Sequence, residues 1–157
     1  MKKIIFTILI LQTVITNAQK IAVKYEMLQL RPYCGGARPP KEVEEQAKIP
    51  QAYSNMLLIY KSDKGKVDSV KTNEKGFLIL NLKAGTYKFF EPWKFHKKTP
   101  DGANISIYNK TCIESEWKKE DLKITIGTKG NPIIKNNIST SKCFWDNDCL
   151  IQKQMPE

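Results

Sequence analysis

No internal repeat and no low-complexity tract runs through this chain, and beyond residue 18 no stretch is apolar enough to span a membrane. Cysteine is scarce and badly spaced for zinc. The closest pair, Cys143 and Cys149, has five residues between its members, whereas a structural zinc site wants close pairs such as C-x2-C. The expectation is no metal and no cofactor. There is one histidine, His96, so only one imidazole is on offer to any catalytic pairing.

What is present begins with an address. Lys2 and Lys3 precede an apolar run from Ile4 to Ile15, broken by Thr7, Gln12 and Thr13, and Thr16-Asn17-Ala18 closes it with small residues. This reads as a secretory signal peptide over residues 1–18, cleaved between Ala18 and Gln19. The run falls short of the ~20 apolar residues of a spanning helix, and no cysteine follows it to carry a lipid. Removing 18 of the 157 residues leaves 139. Residues 19–157 are expected to form a single domain with a real core.

The whole chain carries a formal charge of +10, and taking away the two leader lysines leaves +8. A basic exported protein can meet polyanions. The expected partner is a cell-surface polysaccharide or an envelope protein in the periplasm, at the cell surface or outside. Nucleic acid is not expected.

Four cysteines, Cys34, Cys112, Cys143 and Cys149, in an exported chain read as two disulfides. Three pairings are possible. The expected one is Cys34–Cys112 with Cys143–Cys149, for which the chain-entropy model gives about 4.5 and about 2.3 kcal/mol.

Period-2 patterning predicts a strand over residues 20–31, and Cys34-Gly35-Gly36 ends it. Pro40 followed by Glu42, Glu44 and Glu45 predicts a short helix that Pro50 terminates. Further strands are expected over 56–60, 67–72, 77–82, 86–91, 122–126 and 133–139. Polar turns at Gly65, Gly76 and Gly85 separate the middle four. Residues 92–104 read as a long loop, residues 105–117 as one amphipathic helix or an irregular crossover, and residues 127–132 as a turn. The fold class expected is mainly β: one sandwich with one or two short helices in its connections.

Within that frame Val70-Lys71-Thr72-Asn73-Glu74-Lys75-Gly76-Phe77 and Leu82-Lys83-Ala84-Gly85-Thr86-Tyr87 carry a resemblance. The stretch from Met56 to Glu91 is similar to the transthyretin-like, carboxypeptidase-regulatory-like β-sandwich, where turns of this kind join successive strands. The resemblance implies an immunoglobulin-like sandwich and a non-catalytic accessory or binding role. It implies no site residues.

Several constellations bear on chemistry. Cys34 with His96 would make a thiol–imidazole pair, the basis of a cysteine-dependent enzyme, were the thiol free. Glu42, Glu44 and Glu45 are better explained by a helix start than by an acid–base pair. Asp146-Asn147-Asp148 offers oxygens to calcium but lacks the glycine and distal glutamate of a calcium loop. Asn104, Asn109 and Asn137 each open an N-x-[ST] triplet, and Asp68-Ser69-Val70 resembles a bacterial O-glycosylation acceptor. The best binding candidate is the run Trp93, Lys94, Phe95, His96, Lys97 and Lys98, where aromatics alternate with cations in a way suited to an anionic sugar. The function expected is an exported, non-catalytic binding or accessory module, its alternatives being the cysteine enzyme and a structural partner in an envelope complex.

Overall fold

A computed structural model describes residues 20–35, 37–100, 102–127, 134–140, 143 and 147–151. Strand β1 (Ile21–Leu30) shows why its sequence alternates: Val23, Tyr25 and Met27 are buried while Ala22 and Lys24 face water. It is the centre of the first sheet. Along one edge run β5 (Phe77–Leu82), antiparallel over Ile21 to Glu26, and then the two-residue β2 (Gln51–Ala52). Along the other edge β8 (Ile134–Thr140) runs parallel to β1, from Lys24 opposite Ile134 to Leu30 opposite Thr140.

The second sheet is wholly antiparallel, in the order β4 (Val67–Lys71), β3 (Leu57–Ser62), β6 (Gly85–Phe90) and β7 (Leu122–Ile126). The two sheets close over one core that includes Leu58, Leu78, Leu80, Phe89 and Ile124. Each such side chain contributes about 1.5–3 kcal/mol by leaving water. This is the expected mainly-β sandwich.

Consecutive strands do not simply follow one another across a sheet. The chain leaves the second sheet after β4, enters the first as β5 and returns as β6. The first corner is held tightly. Asn73 Oδ1 accepts from the amides of Lys75 and Phe77, and Gly76 takes a φ of +77°. Gly76 O accepts from Met27 N, and a Cβ at Gly76 would lie 2.6 Å from Met27 O, so only glycine fits there.

Helix α1 (Lys41–Ala47) begins after Pro40 as expected. Two expectations for the connections are corrected. Residues 92–104 are not all loop: Pro92, at the first helical position, opens the one-turn helix α2 (Pro92–Phe95). Residues 105–117 are not one helix either. Asn104 caps a 3₁₀ turn over Ile105–Ile107, and Asn109 caps a separate helix α3 (Lys110–Glu116), each with its side-chain oxygen on a backbone amide. Two of the three N-x-[ST] triplets therefore lie at helix starts. Around α3 a second, smaller core gathers Tyr108, Ile113, Cys149 and Leu150, with Trp93 and Trp117 packed against it.

The expected disulfide pairing is also corrected. The bridges are Cys34–Cys143 and Cys112–Cys149. The cause is the parallel strand. Because β8 runs alongside β1, Leu30 and Thr140 leave the sheet together, which carries Cys34 and Cys143 to one place. Cys149 is then delivered to α3 by a bridge between Tyr108 and Leu150 and by Asn109 N donating to Cys149 O at 2.7 Å. Two disulfides in a domain of this size fit an oxidising, extracytoplasmic setting. No helix among the described residues is long and apolar enough to cross a membrane. Residues 1–18, the expected leader, and residues 128–132 of the turn expected over 127–132 lie outside the described residues.

Candidate functional site

The aromatic–basic run from Trp93 to Lys98 divides into an inward half and an outward half. Trp93 is half-buried against the second core, and its indole N–H donates to Glu91 Oε2 at 2.6 Å. The Lys94 side chain is only 10% exposed and gives its ammonium to Asp121 Oδ1. Asp121 Oδ2 in turn accepts from Glu91 N at 2.7 Å. Burial pushes the Glu91 carboxyl above the ordinary range and the charge of Asp121 adds to this, while the Trp93 hydrogen bond, Lys94 and Tyr53 pull the other way. The Tyr53 phenol is likewise raised, by burial first and then by the charges of Glu91 and Asp121. Trp93 and Lys94 thus serve a polar joint among β6, α2 and β7.

The outward half is different. Phe95 packs on Phe90 with ring centroids 6.4 Å apart, and His96 stands edge-on to Phe95 at 5.4 Å. His96, Lys97 and Lys98 are exposed. Phe90 points away from the core, so α2 and Phe95 sit on the outer face of the second sheet beside β3.

On that same face lies a feature that no single strand of sequence displays. Lys61 on β3 stands directly opposite Lys88 on β6, and Lys88 directly opposite Lys123 on β7. All three are exposed. Like charges in direct cross-strand register oppose folding, so three in a row across adjacent strands, spaced about 4.8 Å apart, is a costly arrangement. Among the described residues one carboxylate ion-pairs with the row: Glu120, 3.6 Å from Lys88 Nζ. A backbone hydrogen bond first, then Lys88 and Lys123, hold the Glu120 carboxyl below its ordinary range. One rung away Thr86 and Thr125 place their hydroxyls 3.4 Å apart. On the other side, two residues along β6 from Lys88, stands Phe90 with Phe95 over it. The face therefore presents an aromatic patch, a cationic rung and a hydroxyl rung in order.

The remaining candidates resolve as follows. Cys34 is bonded to Cys143 and no described cysteine is free, so His96 has no thiolate to pair with. Glu42 and Glu45 are exposed on α1, and Glu44 reaches Arg38 at 4.0 Å. Among the described residues no three His, Cys, Asp or Glu side chains gather as metal ligands. Asn147 Oδ1 accepts from Cys149 N at 2.9 Å and so turns the chain, while Asp146 lies outside the described residues. Asn137 lies on β8, and Ser69 is exposed on β4.

No protein-family model, no curated protein and no solved structure matches the chain.

Proposed function

We propose that this chain is an exported, non-catalytic β-sandwich module that binds an anionic glycan across the outer face of its second sheet. The observation that carries the reading is the in-register row Lys61–Lys88–Lys123. An arrangement that opposes folding is accounted for if an anion relieves it on binding. The neighbouring aromatics and threonine hydroxyls suit the apolar faces and hydroxyls of a sugar. The leader-like residues 1–18, cleaved between Ala18 and Gln19, would place the protein in the periplasm, at the cell surface or outside the cell, where such glycans occur. The transthyretin-like resemblance supports an accessory role of this kind.

Retention on a sulfated-glycan column tests the reading. The triple variant Lys61→Gln, Lys88→Gln, Lys123→Gln should elute at much lower salt than the native chain. A control triple of equal charge, Lys41→Gln, Lys48→Gln, Lys75→Gln, should elute close to it. Equal losses in the two triples would mean that net charge alone retains the protein, and would overturn the proposal.

A further inference from the structure

The sandwich is open at the end where the β3–β4 and β5–β6 turns meet. A cavity of about 420 Å³ lies there. Its inner wall includes Tyr60 and Tyr87, both buried, with rings edge to face at 5.9 Å. Four lysines line it: Lys20 just before β1, Lys64 and Lys66 in the β3–β4 turn, and Lys83 in the β5–β6 turn.

The acids of the cavity are already engaged. Asp63 Oδ2 accepts from Thr86 N at 3.2 Å. Asp68 accepts from Ser69 N at 2.9 Å and from the Tyr60 hydroxyl at 3.3 Å, and its Oδ2 lies 3.7 Å from Lys66 Nζ. Lys66 is thereby paired at the surface. Among the described residues, Lys20, Lys64 and Lys83 have no carboxylate within ion-pairing distance. Three ammonium groups from three separate chain segments thus line one concavity outside any ion pair, and with Lys66 they outnumber its two carboxylates, Asp63 and Asp68.

We propose that this cavity is a binding site for a phosphate or sulfate ester carried on a body the size of a monosaccharide. Three separate cations match the three terminal oxygens of a tetrahedral ester, each accepting a charge-assisted hydrogen bond. A bare ion would leave most of the space to solvent, since a water occupies about 30 Å³, and the volume falls in the range of small-molecule sites. Asn81 on β5 adds an amide that can meet a sugar hydroxyl. None of the lining lysines belongs to the Lys61–Lys88–Lys123 row, so the two sites stand or fall separately.

Calorimetric titration of the full oxidised chain with glucose 6-phosphate, glucose 6-sulfate, inorganic phosphate and glucose tests this. The two esters should bind saturably, inorganic phosphate more weakly and glucose not at all. The variant Lys64→Gln/Lys83→Gln should weaken ester binding by about tenfold or more, with its ligand-free unfolding temperature unchanged. Lys83→Arg should keep it. Lys61→Gln/Lys123→Gln, of equal charge change, should leave it nearly as it was. The proposal fails if neither ester binds saturably, if inorganic phosphate binds as tightly as the esters, or if the two double variants lose affinity equally.

Discussion

Thr72 does at a single position what a turn usually needs several residues to do. It is 2% exposed, and its hydroxyl accepts from Met56 N at 2.8 Å while donating to Tyr53 O at 2.6 Å. Its own amide donates to Met56 O at 2.9 Å. Thr72 therefore ties the start of β3, the end of β4 and the segment after β2 into one corner. Thr72→Val keeps the shape and removes both hydroxyl bonds, leaving a buried donor and a half-buried acceptor without that partner. We expect a loss of about 2–3 kcal/mol, read as a lower urea midpoint with an unchanged slope. A loss below about 0.5 kcal/mol would show that the hydroxyl is dispensable. The sequence offers Thr72 only as the last residue of an expected strand. Its two partners lie 16 and 19 residues away, and nothing local announces them.

The strands were the legible elements, because alternation reports which face is buried wherever one face meets water. Leu122, Ile124 and Ile126 show this directly. The apolar run Met56–Tyr60 reads as a strand covered on both faces, and it is so in part: Leu58 and Tyr60 enter the core and Ile59 is buried on the outer face beside Phe90, but Leu57 is 43% exposed. Cross-strand register was not legible, so the lysine row was not either. Each lysine is an ordinary exposed strand position until the pairing sets it opposite another. The joint formed by Glu91 was equally hidden, since its partner Asp121 is 30 residues away. Here the pKa direction gives a test. Burial raises the folded-state pKa of Glu91 above its unfolded value, so the stabilising state is the protonated one. Its contribution is fully present below the unfolded pKa and is lost as pH rises through the folded pKa. Glu91→Gln stays neutral throughout and can still accept from Trp93. It should therefore be more stable than the native chain at about pH 7, with the difference shrinking toward about pH 4. The same difference at both pH values would show that Glu91 is not the group concerned.

At the scale of the whole molecule, the disulfides join regions that the hydrophobic core alone leaves loosely connected. The main core lies between the sheets, whereas α3 and the segment around Leu150 form their own small cluster. Cys112–Cys149 lies inside that cluster and closes 37 residues, and Cys34–Cys143 closes 109 at the shared exit of β1 and β8. Chain entropy alone assigns them about 4 and about 5 kcal/mol respectively. The expectation from sequence paired cysteines consecutive along the chain, Cys34 with Cys112 and Cys143 with Cys149, and missed that a parallel last strand brings the two ends of the domain together. Sequence patterning locates β8 but not the strand it joins. The two bridges should consequently fail in different places. With Cys112 and Cys149 both changed to Ser, hydrogen exchange should quicken at the amides of Asn109 and Ile151 and through α3, while β3, β6 and β7 keep their protection. With Cys34 and Cys143 both changed to Ser, the fall in urea midpoint should be the larger of the two. Protection should then be lost first along β8, whose described strand pairing is to β1 alone. If both variants instead lost protection uniformly across the two sheets, the domain would unfold as one unit, and the division into a main core and a stapled satellite would be wrong.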